Sequence, residues 1–136
     1  MKTYIFLLSF LSFIILCLTL SSCLPDSASQ TDFMVKVDSI HAPDSVASNT
    51  SFDIEFFGTI GFNGCVIFKS FNKTYKNKDI IIETWAGWND FAGTCPTVLV
   101  SLDGKKLRMS IPVPGIYRLV IKEPGSTSII KQVMVN

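Results

Sequence analysis

The chain is poor in the residues that metal and catalytic sites use most, and it has no excess of charge. Its only histidine is His41, which leaves a metal site short of ligands. Lys2 is the only charged side chain in residues 1–22, and the rest of the chain contains 11 basic and 11 acidic residues. A neutral domain has no net field that attracts nucleic acid. We therefore expect no metal, no cofactor and no nucleic-acid partner.

The sequence also lacks a set of side chains arranged for nucleophilic catalysis. Asp44 and Ser45 follow His41 closely, but a catalytic base needs a positioned nucleophile and an orienting partner. Three polar residues in one turn supply neither, and no other constellation of this kind stands out. We therefore expect a protein that is not an enzyme.

Charge is absent from a long apolar run near the start of the chain, residues 4–20. The run follows Lys2 and precedes small residues, which is the three-part pattern of a secretory signal. As a helix it would rise about 1.5 Å per residue, roughly 25 Å in all, which is short for a membrane span. The pattern predicts a signal helix over residues 1–22, and an uncleaved membrane anchor is the alternative.

The apolar run ends in Leu20-Ser21-Ser22-Cys23, which resembles the lipobox of bacterial lipoproteins. The resemblance implies cleavage before Cys23, a diacylglycerol on its thiol and an acylated new N-terminus. Several acyl chains anchor a protein durably, whereas one holds it only marginally. In Gram-negative lipoproteins an Asp after the cysteine commonly marks retention in the inner membrane, so Leu24 implies the outer membrane. We expect a lipid-anchored outer-membrane protein, on the periplasmic or the cell-surface face.

The chain divides into three parts at the predicted cleavage site. We expect a signal peptide over residues 1–22, a lipidated flexible tether over 23–32 and a single domain over 33–136. The tether is small, polar and turn-prone, as flexible linkers are. A chain of 136 residues leaves little room for a second domain.

Two of the four cysteines remain for the domain, because Cys17 leaves with the signal peptide and Cys23 carries lipid. An even pair in an oxidising compartment favours a disulfide. We therefore predict a bond between Cys65 and Cys95. Two free thiols or a metal pair are the alternatives, and a metal pair lacks further ligands.

The domain shows period-two alternation of apolar and polar residues, which is typical of strands with one buried face. Three consecutive isoleucines, 80–82, suggest a strand covered on both faces, and Asp103-Gly104 is a strong hairpin signal. No stretch after residue 24 shows convincing helical periodicity. We predict eight strands, 33–38, 52–56, 65–71, 79–85, 97–102, 106–111, 115–122 and 128–135, with a polar hairpin over 72–78 and a loop over 86–96.

The segment 114–119, Pro-Gly-Ile-Tyr-Arg-Leu, resembles the turn and tyrosine that open the penultimate strand of many immunoglobulin-like sandwiches. The resemblance implies that the Tyr117 hydroxyl bonds back to the turn, with Leu119 and Ile121 facing the core. Antibody-type domains carry a cysteine where this chain has Leu119, so its disulfide is not the usual one between the sheets. We predict an all-β, immunoglobulin-like antiparallel sandwich of about seven to eight strands, with a small β-barrel as the alternative.

The segment 84–95 packs three aromatic residues, two glycines, an amide and a carboxylate into twelve residues. Exposed tryptophans offer flat faces to sugars, peptides or cations, and the polar groups beside them would supply hydrogen bonds. The interpretation we favour is structural, with both tryptophans plugging the end of the sandwich and the disulfide pinning the loop. The candidate ligand-binding residues are Trp85, Trp88, Asn89, Asp90 and Phe91.

Three Asp-Ser pairs, each followed by a small or aliphatic residue, resemble the acceptor motif for O-linked glycans in some exported Gram-negative proteins. The acceptors would be Ser27, Ser39 and Ser45. Ser27 suits a glycan best because it lies in the tether.

The anchor, the neutral charge and the aromatic segment favour a non-enzymatic, membrane-tethered binding or structural module of the cell envelope. Its partners would be the membrane, through the lipid on Cys23, and an envelope protein or a carbohydrate. The alternatives are an inhibitor or accessory subunit of an envelope enzyme, which loops at one end of the sandwich would enter, and an enzyme of unrecognised type.

Overall fold

The computed structural model describes residues 31–89 and 94–136, which form eleven β-strands and no helix. Within these two ranges no helix is long and apolar enough to cross a membrane. The predicted signal peptide, residues 23–30 of the tether, Asp90 and Phe91 lie outside them. The strands are β1 (Phe33–Met34), β2 (Ser39–His41), β3 (Ser45–Val46), β4 (Ser51–Phe57), β5 (Thr59–Gly61), β6 (Val66–Lys76), β7 (Asp79–Trp88), β8 (Val100–Ser101), β9 (Lys105–Ser110), β10 (Gly115–Lys122) and β11 (Ser128–Val135).

The larger sheet has six strands, and β7 pairs with neighbours along both of its edges. One edge of β7 pairs with β6 in antiparallel orientation along its whole length. The other edge pairs with β10 at residues 79–83 and with β1 at residues 85–86. Next to β10 come β11 and then β3, so the order is β6-β7-β10-β11-β3 with β1 beside β7.

The remaining strands form two smaller sheets. β4 lies between β2 and β9 in a three-stranded sheet, and β5 pairs with β8. A single residue, Gly58, separates β4 from β5, and its φ is 154°. A Cβ on Gly58 would lie 2.9 Å from the carbonyl oxygen of Lys36 and 3.1 Å from the amide nitrogen of Asp38. Glycine is required here because the backbone of residues 36–38 packs directly against it.

One core lies between the larger sheet and the three-stranded sheet. Alternate residues of each strand point into it, as Phe52, Ile54 and Phe56 do in β4. Side chains from both sheets join in a single buried cluster, and none of the described sheets closes on itself. The predicted all-β sandwich is therefore confirmed over its closed alternative. The most deeply buried apolar residues are Val35, Val37, Ile54, Phe56, Ile80, Ile82, Ala86, Leu102, Leu119, Ile121, Val133 and Val135.

The sandwich departs from the predicted antiparallel pairing at two places. β3 pairs with β11, and β7 pairs with β10, in parallel. After β7 the chain crosses to the opposite sheet, forms β9 there and returns as β10 beside β7. Parallel neighbours need a long crossover of this kind. The alternation pattern within a strand does not reveal it.

Asp103-Gly104 forms a turn but not the predicted hairpin. β8 and β9, on either side of it, pair with β5 and β4 rather than with each other. The Leu102 N–H donates to the Gly58 carbonyl at 2.8 Å, and the Gly104 N–H donates to the Phe56 carbonyl at 3.1 Å. The chain therefore keeps its direction through a bulge, in which Gly104 has φ 73°, a conformation that favours glycine. The bulge places Leu102 in the core.

The hairpin between β6 and β7 is tighter than predicted. Its turn is Asn77-Lys78, and the predicted polar hairpin over 72–78 is strand as far as Lys76, because the ladder to β7 continues to that point. Asn77 has φ 57°, a left-handed conformation that asparagine tolerates better than most residues. The polar composition of this stretch therefore reflects an exposed strand.

The predicted first strand, 33–38, divides between two sheets. β1 pairs with β7 in the larger sheet, whereas the Asp38 N–H donates to the Phe57 carbonyl of β4 at 2.9 Å. Val35 and Val37, between these contacts, are buried. Three short strands, β2, β3 and β5, are additional to the prediction. Each has two or three residues, which is too few for a recognisable alternation.

Tyr117 takes the predicted role at the start of β10. Its hydroxyl donates to the carbonyl oxygen of Val113 at 2.9 Å, and its ring is buried. Leu119 and Ile121 follow on the same face of the strand and are completely buried. The predicted tyrosine corner is confirmed, and it fixes the turn that leads from the smaller sheet back to the larger one.

Replacing Tyr117 with phenylalanine removes only the hydroxyl that bonds to Val113. We expect Tyr117→Phe to lower the free energy of unfolding by about 1 kcal/mol, because the carbonyl loses its donor. Denaturant unfolding followed by circular dichroism measures the change. Tyr75→Phe, at an exposed tyrosine of β6, is the control and should leave stability unchanged. An equal loss at both positions would contradict the assigned role of Tyr117.

Candidate functional site

The aromatic segment 84–95 is strand for its first five residues. β7 continues through Trp88, and its ladder with β6 reaches that residue. The strand predicted over 79–85 therefore continues, and the loop prediction over 86–96 is wrong at residues 86–88, where tryptophan favours a strand and Gly87 packs closely against neighbouring side chains. The strand ends at Asn89, whose N–H donates to the Cys65 carbonyl at 2.7 Å.

The two tryptophans lie on opposite faces of β7, because successive side chains of a strand alternate between its faces. Trp88 falls on the face of Ile82 but lies at the end of the strand and is 40% exposed. Trp85 falls on the outer face, where it is half-buried and its Nε1 lies 3.4 Å from Oε2 of Glu83. The described members of the predicted ligand site, Trp85, Trp88 and Asn89, are therefore not assembled into one platform.

Cys65 and Cys95 form the predicted disulfide, with an S–S distance of 2.02 Å. The bond joins the residue before β6 to the segment that leads into β8. Backbone contacts hold the same region together, since the Gly64 N–H donates to the Pro96 carbonyl at 2.9 Å. The side-chain oxygen of Asn63 accepts from the Cys65 N–H at 2.9 Å. The turn before β6 and the segment before β8 are thus tied into one unit.

The described residues around this bond, at one end of the sandwich, carry no charged side chain. We call this region the disulfide end and define it as residues 59–65, 88–89 and 94–99. Extended apolar surfaces on a soluble domain commonly mark interaction sites. The strongly exposed apolar side chains at this end are Phe62 (72%), Leu99 (58%), Val98 (48%) and Trp88 (40%).

A second exposed apolar surface lies on the outer face of the larger sheet. The strand register places Ile81, Val120 and Ile130 side by side across β7, β10 and β11, and it places Ile116 beside Met134. Ile130, Ile116 and Met134 are exposed by 60%, 55% and 49%. We call these five side chains the outer apolar face.

The three consecutive isoleucines of β7 do not mark a strand covered on both faces. Ile80 and Ile82 are completely buried in the core, whereas Ile81 points outward and is half-buried. In the part of the chain that the structure describes, no second layer lies over this side of the sheet. The prediction is wrong, and the same run is the one local signal in the sequence for the outer apolar face.

A shallow groove of about 430 Å³ borders the outer apolar face at the β6–β7 turn. Asp79 and Arg118 form a two-bond ion pair in it, with both N···O distances 2.6 Å. The hydrogen bonds from Arg118 lower the pKa of Asp79, so the pair stays charged at neutral pH. These two charges offset each other, so Lys76 and Lys78 give the groove a net positive charge. Its lining residues are Lys76, Asn77, Lys78, Asp79, Ile116, Arg118 and Gln132.

The outer face of the three-stranded sheet is different, because ion pairs cover it. Arg108 donates to both carboxylate oxygens of Asp53, at 2.8 and 3.0 Å, and Lys106 lies 2.8 Å from Glu55. These hydrogen bonds lower the pKa of each carboxyl. Exposed pairs of this kind suit a face in water and contribute little to stability. The outer face of the larger sheet carries one such pair, Asp79–Arg118, beside its exposed apolar side chains.

His41, Asp44 and Ser45 each have separate surroundings. His41 is exposed at the end of β2, with its Nδ1 4.0 Å from Glu55. Asp44 forms an ion pair with Lys131, whose hydrogen bond lowers the pKa of the carboxyl. Ser45 is exposed at the start of β3, and its backbone pairs with β11.

The two glycan acceptors that the structure describes, Ser39 and Ser45, are exposed at the first positions of β2 and β3. Ser27 lies outside the described residues. O-glycosylation at these serines stays a prediction.

No protein-family model matches the chain, and comparisons with curated proteins and with solved structures find no match either. The structure itself offers two surfaces that are candidates for contact with a partner. The disulfide end is apolar and uncharged, whereas the outer apolar face adjoins a positively charged groove.

Removing the disulfide should destabilise the domain without changing its fold. Cys65 and Cys95 are 30 residues apart, and closing a loop of that length stabilises by about 3–4 kcal/mol in the chain-entropy model. We expect the double variant Cys65→Ala/Cys95→Ala to lose that amount in denaturant unfolding. A reducing agent should destabilise the wild type and leave the double variant unchanged. Equal stability of the oxidised wild type and the variant would contradict this role.

Proposed function

We propose that this protein is a lipid-anchored, non-enzymatic binding module of the bacterial cell envelope. Cys23 holds it to the outer membrane, and the outer apolar face binds an envelope protein. A protein partner is better supported than a carbohydrate, because Trp85 and Trp88 lie on opposite faces of β7 and offer no shared stacking platform.

The contrast between the two outward faces of the sandwich supports the binding role. One face carries Asp53, Glu55 and their basic partners, whereas the other exposes Ile116 and Ile130. Burying apolar surface stabilises by about 25 cal/mol per Å². A complex in which a partner covers the outer apolar face is therefore favoured. The groove beside this face is positively charged, so a partner segment with acidic side chains complements it.

The disulfide supports the exported location. Structural disulfides persist in oxidising compartments and are rare in the cytoplasm. The Cys65–Cys95 bond holds two segments of the domain together. The first strand begins at Phe33, the residue at which the predicted tether gives way to the domain.

Cys23→Ser tests the anchor by removing the thiol that would carry the lipid. In growing cells, an alkyne-labelled fatty acid should enter the wild type and fail to enter Cys23→Ser. Cys17→Ser is the matched control and should be labelled, since residue 17 leaves with the signal peptide. The intact mass of the wild type should correspond to residues 23–136 plus acyl chains. A mass that still includes residues 1–22 would overturn the anchor.

Ile130→Asp tests the binding face by placing a charge at the most exposed side chain of the outer apolar face. Formaldehyde cross-linking of intact cells, followed by mass spectrometry, should show a protein adduct of the wild type that this variant loses, because burying a charge opposes contact. Val113→Asp is the control, since Val113 has the same exposure, 59% against 60%, and lies in the turn before β10. An adduct that survives in Ile130→Asp, or none in the wild type, counts against the proposal.

The identity of the cross-linked protein separates a binding module from the alternative of an inhibitor or accessory subunit. An envelope enzyme whose activity changes when this protein is added would favour the alternative.

A further inference from the structure

We propose that the disulfide end is a membrane-docking surface, which places Phe62, Trp88 and Leu99 in the headgroup region of the bilayer that holds the lipid of Cys23. The inference rests on the proposed lipid anchor and goes beyond it, because an anchor alone leaves the orientation of the domain free. Docking would fix that orientation and decide which surfaces remain open to a partner.

The chain enters the domain at the disulfide end. β1 runs antiparallel to β7, with Phe33 opposite Ala86, so the residues before β1 continue along β7 toward Trp88. The Asp32 carboxylate packs so closely against Gly87 that a Cβ added to Gly87 would collide with it. The tether therefore leaves the folded domain beside Trp88.

The tether is too short to place the opposite end of the sandwich on the membrane. Eight residue steps separate Cys23 from Thr31, and they span at most about 29 Å when fully extended. β7 has ten residues, which are nine steps from end to end and cover about 30 Å between the β6–β7 turn and the disulfide end. The tether would have to run back along the whole of β7 for the turn to reach the bilayer. The disulfide end is the part of the domain that the anchor holds nearest to the membrane.

The chemistry of this end suits a lipid surface. None of the residues that define it, 59–65, 88–89 and 94–99, is charged, and Asp32 and Lys69 lie beside Gly87 at its border. Charged side chains enter the apolar part of a bilayer at a high cost, whereas tryptophan favours the headgroup level. Trp88, Phe62 and Leu99 are exposed at this end, so they can enter the interface without any change in the core.

The absence of charge from these segments also determines how the surface should bind. Peripheral proteins that bind anionic lipids through basic clusters are released by salt, because mobile ions screen the attraction. A surface that binds by burying apolar side chains is not released in this way. Docking at the disulfide end should therefore persist at high ionic strength and on zwitterionic lipid.

The fluorescence of Trp88 tests this orientation in the full-length lipidated protein. The chain has two tryptophans, so Trp85→Phe leaves Trp88 as the sole emitter. The probe is a vesicle of phosphatidylethanolamine and phosphatidylcholine in which the phosphatidylcholine carries brominated acyl chains. Flotation with the vesicles reports the anchor, and quenching by bromine reports the depth of Trp88. We expect flotation, an emission shift to shorter wavelength, and quenching that high salt does not reverse.

Two aspartate variants with nearly equal exposure make the test specific. Leu99 is 58% exposed at the disulfide end, and Val113 is 59% exposed in the turn before β10. In the Trp85→Phe background, Leu99→Asp should still float but lose the shift and the quenching. Val113→Asp should keep the flotation, the emission shift and the quenching. Phe62→Asp is a second variant at the disulfide end and should behave as Leu99→Asp does, and circular dichroism checks that each variant is folded.

The outcomes separate docking from anchoring. Flotation without quenching, or quenching that survives in both Leu99→Asp and Phe62→Asp, would overturn the docking surface and leave the anchor intact. Quenching that high salt removes would also overturn it, because the contact would then be electrostatic. A wild-type protein that does not float would overturn the lipid anchor, and the docking proposal with it.

Discussion

The pairing of β7 on both of its edges is the constraint on which the rest of the structure depends. β6 lies along one edge, and β10 and β1 share the other. The same strand sends Ile80 and Ile82 into the core, Ile81 and Trp85 to the outer face, and Trp88 to the disulfide end. A slip of one residue would exchange the inner and outer sets. The register of this one strand therefore positions the core and both candidate surfaces.

Local sequence patterns predicted where the strands lie better than they predicted which strands pair with each other. The alternation in residues 115–122 and 128–135 matches β10 and β11 in full, and the tyrosine corner and the disulfide form as predicted. The same patterns failed to predict the parallel pairing of β7 with β10 and misread Asp103-Gly104 as a hairpin. A strand's own residues report which of its faces is buried. They carry no information about which strand lies beside it, because that depends on a crossover elsewhere in the chain.

The candidate surfaces show the same division. Trp85 and Trp88 are close in sequence and suggested one site, yet the alternation of a strand separates them. The outer apolar face is built from Ile81 on β7 and from Ile116 and Ile130, with their neighbours, on β10 and β11, which follow more than 25 residues later in the sequence. The only signal for this face in a continuous stretch of sequence was the isoleucine run 80–82, which is equally typical of a strand covered on both faces. Sequence reasoning therefore identified the aromatic segment but not the surface that the sheet assembles.

The order in which the strands join has a consequence for how the chain is made. β3, near the start of the domain, pairs with β11 at its end, and β7 gains its neighbour β10 only after the chain has visited the opposite sheet. Such pairings form slowly. A long loop must close first, which costs chain entropy, and the stabilising contacts form only afterwards. A protein that is threaded through a membrane must remain unfolded until it has crossed. The larger sheet is complete only when β11, its last strand in sequence, is available, so on the proposed export route this topology would delay folding until most of the domain has crossed.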